Sequence, residues 1–258
     1  MIINQDSVNK IVEQGIWYHT LLINGTKTKG TYDYTELVNE LNFPNLNSLS
    51  VLDVGCSDGF FSKHFLENLS AKSVLGVDVN KYDSSVAFEV LDSFREAYLE
   101  KYDSHNDYPL LESEYKKLGL ENSNKFLLLK KIFNLNMDFQ YGSIYDLTSF
   151  DNYDVTFCGS LLEHLRDPIT AIEQLYSKTK NFCIIDISNT INPKLLGKRR
   201  AFIEYTGAGG NFYKYTDESI KLMMETVGFK NIKILNRYKI TIEKYGYKIP
   251  HSLIIGYK

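Results

Sequence analysis

Short apolar runs alternate with stretches of helical spacing along most of the chain. Residues 51–54, 74–79, 137–141, 153–158, 181–187, 230–236 and 251–257 read as strands. Helical spacing over 60–69, 84–99, 168–179 and 216–227 falls between most of them. Strands of this length, nearly uniform in apolar character and separated by helices, predict a mostly parallel α/β sheet with helices on both faces. Before this pattern begins, residues 4–15 read as a short helix and 15–34 as an aromatic segment. A second short helix over 35–43 is closed by Pro44. The chain therefore divides into a cap segment, 1–44, and one α/β domain, 45–258.

One connection is too long. Between Asn80 and Asn136 lie 57 residues where a strand–helix–strand unit needs about half that number. The polar, tyrosine-bearing stretch 96–125 reads as a helical or loop insertion after the second strand, either a solvated excursion or a lid or oligomer contact. Composition adds mainly exclusions. The 258 residues carry 29 basic and 32 acidic side chains, a formal charge of -3, which argues against a polyanion-coating protein. No apolar run is long enough to span a membrane, and MIINQDSVNK has no signal-peptide order. Cys56, Cys158 and Cys183 have no metal-ligand spacing, so reduced, buried thiols in a cytoplasmic protein are expected.

The segment VLDVGCSDGFFS at 51–62 places a strand end, Asp53, before a turn through Gly55, Cys56, Ser57 and Gly59 and a helix start. Such a turn lets a ligand approach bare backbone and face helix N–H groups. It does not match the dinucleotide pattern G-x-G-x-x-G. The second strand ends in Val77-Asp78-Val79. An acidic residue there is suited to a ribose diol, because one carboxylate can accept from two hydroxyls.

With these motifs the chain resembles the class I S-adenosylmethionine-dependent methyltransferases over about residues 45–258. The resemblance implies a Rossmann-like, mostly parallel seven-stranded sheet and S-adenosylmethionine as cofactor. It implies that Asp53 lies near the methionine amino group, that Gly55, Cys56, Ser57 and Gly59 pass the methionine part, and that Asp78 and Val79 meet the ribose. YGSIYDL at 141–147 falls where adenine contacts are expected, with Ser143 followed by Ile144 in place of the acidic residue often found there. In YDVTFCGSLLEHLRDP at 153–168, Ser160, Glu163 and His164 stand beyond the fourth strand, where ligands sit in open α/β sheets. His164 is either a contact or general base or a structural loop histidine; histidine as a residue type suits base work because imidazole titrates near neutrality.

Trp17-Tyr18-His19, Thr28-Lys29-Gly30 and the two motifs above also resemble a subgroup that includes the tRNA wobble-uridine carboxymethyltransferases and small-molecule relatives. That similarity makes Trp17 and His19 candidates for the pocket wall. In the tRNA enzymes a tyrosine and an arginine hold the cofactor's extra carboxylate; here those positions are Glu163 and Gly210. The exchange repels a carboxylated cofactor, on the order of several kcal/mol in a dry site, so plain S-adenosylmethionine is expected.

Residues 188–215, which include the run Lys198-Arg199-Arg200, form the expected acceptor loop, with Arg199, Arg200, Asn211 and Tyr213, together with Glu163, as substrate contacts. Arg199 and Arg200 could clamp a phosphate or carboxylate, or belong to a solvated surface run. The resulting expectation is metal-independent methyl transfer to O or N of a polar small molecule by a monomer or homodimer, with His164 or His19 as the catalytic group. The alternatives are an RNA-modifying enzyme and a noncatalytic cofactor-binding subunit.

Overall fold

The computed structural model describes residues 3–79, 111–120, 124–188, 191, 201–208, 211–242 and 246–258. Its main sheet has nine strands in the order β1-β4-β12-β13-β9-β8-β5-β6-β7. The seven expected strands are β5 (Ser50–Val54), β6 (Ser73–Asp78), β7 (Met137–Tyr141), β8 (Tyr153–Gly159), β9 (Thr179–Ser188), β12 (Lys230–Ile242) and β13 (Tyr247–Tyr257). β7, β6, β5, β8 and β9 run parallel; at the far side β13 pairs antiparallel with β9, and β12 antiparallel with β13.

The sheet has nine strands rather than seven because the segment before residue 45 contributes two. β1 (Trp17–His19) pairs parallel with β4 (Gly30–Tyr32), and Tyr32 pairs with Ile242 at the end of β12. A side chain at Gly30 would stand 2.1 Å from the His19 backbone, so only glycine permits this approach. Between them β2 (Leu22–Ile23) and β3 (Thr26–Lys27) form a hairpin with positive φ at both Asn24 and Gly25, the geometry of a type I′ turn.

Helices cover both faces. The apolar residues of β5 alternate, Val51 packing with Phe60, Phe65 and Phe126 on one side, Leu52 and Val54 with Ile172 and Met224 on the other. The first layer holds α1 (Gln5–Gln14), α2 (Phe60–Glu67) and α4 (Lys125–Phe133); the second holds α5 (Pro168–Lys178) and α6 (Asp217–Val227). Asp167 caps α5, its carboxylate accepting from Thr170 N–H at 3.0 Å, and Pro168 opens the helix where no N–H is needed.

Two further expectations change, and one is met in part. The helix expected over 35–43 is a single 3-10 turn, Leu37–Glu40. Within the 188–215 loop, β10 (Ile203–Ala208) and β11 (Asn211–Tyr215) form an antiparallel hairpin. The described end of the 96–125 insertion carries a short helix, α3 (Glu112–Lys117), which is pinned to α1 where Ser7 Oγ donates to Glu114 at 2.8 Å. The 84–99 helix, most of the insertion, Lys198, Arg199, Arg200 and Gly210 lie outside the described residues.

Candidate active site

β5 ends at Val54 and the chain turns through Gly55 with φ +81°. Ser57 also takes positive φ, and Gly59 begins α2 in the left-handed region. These turns lay bare backbone over the carboxyl end of the sheet, as the glycine spacing predicts. The Gly55, Cys56 and Ser57 backbone forms one wall of a cavity of about 320 Å³, at the small end of ligand pockets. Tyr18, His19, Tyr32 and Tyr34 from the cap segment close it from above. Gly159, Ser160, Glu163 and His164 follow β8 along another side, and Ser188, Asn211, Tyr247 and His251 complete the far wall.

Asp53 forms part of the cavity floor and is 2% exposed. Its carboxylate accepts from Ser62 Oγ at 2.5 Å. Burial, helped by the nearby charges of Asp78 and Asp58, pushes its pKa up to about 7 despite that hydrogen bond and the counter-charge of His19. Asp78, at the end of β6, accepts from Ser57 N–H and Val79 N–H, each at 2.8 Å. Asp78 thus ties the glycine turn to the neighbouring strand and stands at its outer edge.

His19 and Asp58 make a buried pair. Asp58 accepts from the His19 backbone N–H at 2.8 Å, and its other oxygen lies 2.6 Å from His19 Nδ1. Burial works against the Asp58 charge, but the His19 ring and these hydrogen bonds outweigh it and hold Asp58 below the usual carboxylate range. Glu163 is fully buried, and Ser188 donates to its Oε1 from both hydroxyl and backbone N–H. Its Oε2 has no hydrogen-bond partner among the described residues.

The structure brings His19, Asp53, Gly55, Cys56, Ser57, Ser160, Glu163, His164 and Asn211 to one cavity. It does not bring the others there. Trp17 is in the core, its Nε1 donating to Ile11 O at 3.4 Å. Gly59 shapes the start of α2, where a side chain would meet the Phe126 ring at 2.9 Å. Ile144 is 3% exposed among apolar neighbours, and Ser143 bridges to Asp146; both follow β7, one strand beyond Asp78. Tyr213 donates to Arg166 O at 3.2 Å and packs on Tyr205 and Tyr215. Cys56, Cys158 and Cys183 are free and buried, with thiols pushed up by burial first.

Sequence reasoning missed Tyr34, Asp58, Asp186, Ser188, Tyr238 and His251. The signal for Asp186 and His251 is a polar residue inside an apolar strand, since a charged group is buried only with partners. Among the described residues no lysine or arginine lines the cavity, and no three His, Cys, Asp or Glu residues are grouped to hold a metal ion.

Residues 27–234 match the family described as a methyltransferase domain. The chain belongs to that family, within the class I fold whose cofactor is S-adenosylmethionine. A tRNA U34 carboxymethyltransferase of Nautilia profundicola is 28% identical over 131 residues, which make up 51% of this chain and 31% of the relative. The match therefore spans about a third of that protein's length. The N-terminal domain of EvdMO1, crystallised with S-adenosylhomocysteine and D-fucose, superposes with TM-score 0.62 at 11% identity, covering 99% of this chain and 97% of that domain. The same domain with S-adenosylhomocysteine alone gives TM-score 0.59 at 11% identity, with 100% and 98% covered.

The residues present fit the cofactor. A side chain at Gly55 would protrude toward Leu161, at 3.0 Å, from the wall that backbone now forms. Asp53 offers a buried acceptor on one side of the turn and Asp78 a half-buried one on the other. Among the described residues no helix is long and apolar enough to cross a membrane.

Proposed function

We propose that the chain transfers the methyl group of S-adenosylmethionine to O or N of a polar, uncharged small molecule, with a sugar as the favoured class. The observation that carries this reading is the polar wall of the cavity. It is built from histidine, tyrosine, serine and carboxylate groups, including an unpartnered Glu163 oxygen, and no lysine or arginine lines it among the described residues. Such a wall recruits hydrogen-bond donors and repels phosphates and carboxylates. D-fucose in the crystals of the EvdMO1 domain supports a sugar as acceptor.

In this reading Asp53 meets the amino group of the methionine part, Gly55 to Ser57 pass along it, and Asp78 accepts from the ribose hydroxyls. Ser143 and Ile144 stand toward the adenine. Bound S-adenosylmethionine supplies an electrophilic methyl on a positively charged sulfur. The protein's work is then to orient the acceptor in line, exclude water and take up a proton where the acceptor loses one. The tyrosine-rich lid from the cap segment excludes water, and the reading needs no metal. Glu163 stands where an anionic cofactor substituent would be held, so the plain cofactor is favoured. Free, buried cysteines fit the reducing cytoplasm as the place of action. Arg199 and Arg200 remain substrate contacts only if the acceptor carries an anion at its far end.

The second reading, methylation of tRNA, rests on the Nautilia relative. The formal charge of -3 and the cavity wall count against it. Incubation with methyl-labelled S-adenosylmethionine and either total tRNA or a metabolite extract separates the two. Label in the small-molecule fraction is expected; label in tRNA alone would overturn the proposal.

A further inference from the structure

The far wall of the cavity carries a polar cluster with no part so far in the reaction. Asp186 lies in β9 and His251 in the antiparallel neighbour β13; they are 1% and 2% exposed. Asp186 Oδ2 is 3.1 Å from His251 Nδ1. The Tyr238 hydroxyl is 3.4 Å from the same nitrogen, and its ring stacks on the imidazole at 5.0 Å between centroids. The carboxylate is both the closer and the stronger acceptor, so it fixes the ring proton on Nδ1. Nε2 is left with its lone pair. It has no hydrogen-bond partner among the described residues, and His251 lines the cavity. An unmet buried acceptor is costly, and on a residue that lines a cavity it can be met by a ligand's donor.

His251 pairs across the sheet with Ser188, the residue that holds Glu163 Oε1. Two acceptors without partners among the described residues, His251 Nε2 and Glu163 Oε2, thus belong to residues tied to Ser188 on the same cavity wall. The groups around the imidazole are Asp186 on β9, Tyr238 on β12 and Tyr34 after β4. The Asp186 carboxylate is the group that faces Nδ1.

We propose that His251, oriented by Asp186, is the general base that takes the proton from an acceptor hydroxyl during methyl transfer. This rests on the reading of the chain as a methyltransferase of small polar molecules. In the step, an oxygen lone pair of the acceptor forms the bond to the methyl carbon as the carbon–sulfur bond breaks, its electron pair going to sulfur. The hydroxyl proton passes to His251 Nε2, and Asp186 holds the resulting imidazolium until the proton leaves to water with product release.

The test is ring nitrogen NMR of the full chain, with His251→Gln used to assign the resonance. At pH 7 with S-adenosylhomocysteine bound, His251 should show a protonated Nδ1 and a bare Nε2. Exchange for S-adenosylmethionine brings a positive sulfur into the cavity and should shift the His251 Nε2 resonance, while buried His64 on α2 stays fixed. Asp186→Asn should mix the two tautomers. A wild-type spectrum with the proton on Nε2, or a His251 resonance indifferent to the exchange, overturns the proposal even if Asp186→Asn fails to fold. These readouts need no acceptor, so label appearing in tRNA would defeat the small-molecule reading without deciding the state of His251.

Discussion

Binding of S-adenosylmethionine should expel a proton from Asp53. With its pKa pushed up to about 7, Asp53 is roughly 90% protonated at pH 6, where an ordinary aspartate is ionised. The ammonium of the methionine part, set against this carboxyl, restores the charged form; an opposite charge at contact lowers a carboxyl pKa by about 1–3 units. A full reversal of the shift releases roughly 0.9 proton per cofactor at pH 6 and about 0.1 at pH 8. Calorimetry at pH 6 in buffers of different ionisation enthalpy measures this number directly, and Asp53→Asn should abolish the release and weaken binding. Wild-type binding with no proton exchange at pH 6, or an undiminished release in Asp53→Asn, would refute the placement of the amino group at Asp53. The same shift acts on folding. The folded state holds a proton between pH 3.8 and about 7 that the unfolded chain has lost. The stability it contributes is complete below pH 3.8 and lost as pH rises through about 7, up to ~4 kcal/mol.

Other expectations follow from the same geometry. Gly55→Ala forces an L residue to φ +81° and sets a methyl 3.0 Å from Leu161, costing ~1–2 kcal/mol of stability and, by shifting backbone that lines the cavity, weakening cofactor affinity. Gly25→Ala carries similar strain, at φ +80°, with nothing within 4 Å, so it should leave affinity unchanged in the same titration. Asp78→Ala should weaken S-adenosylmethionine binding by about 1–3 kcal/mol, and an unchanged affinity would sink the ribose assignment. His64 titrates in the opposite sense to Asp53: burial, with Lys63 nearby, pushes its pKa down to about 4. The stability of its neutral form is present above pH 6.5 and lost as pH falls through about 4, up to ~3 kcal/mol, so between pH 7.5 and 5 denaturant titrations should show the wild type losing roughly 2 kcal/mol relative to His64→Gln.

The parts of the fold legible in the sequence are those whose pattern is local. The runs at 51–54, 74–79 and 153–158 have no charged interruption except Asp53, Asp78 and Asp154 near their ends, and each is a strand. The three-residue strands β1 and β4 are too short to show any period, and they are held by the close approach that Gly30 allows. Asn24-Gly25 did carry a hairpin signal, visible in the turn dipeptide itself. The site was half legible for a related reason. Gly55 and Asp78 act through position along one strand–turn–helix unit, whereas His251 meets Asp186 through pairing of strands 65 residues apart. Glu163 was legible as an anion near the cavity, but its anchoring by Ser188 depends on the same long-range register.

The central claim is that the methyl group faces the cavity between the glycine turn and the wall of Glu163, Ser188 and His251. A crystal structure with S-adenosylmethionine and a 6-deoxyhexose tests it most directly. The account predicts the sulfur beside Gly55, the ribose on Asp78, and a sugar hydroxyl in line with the methyl and within hydrogen-bond reach of His251 Nε2. A cofactor whose sulfur points away from this cavity, or a sugar seated elsewhere while the cavity is filled by the cofactor itself, would contradict it.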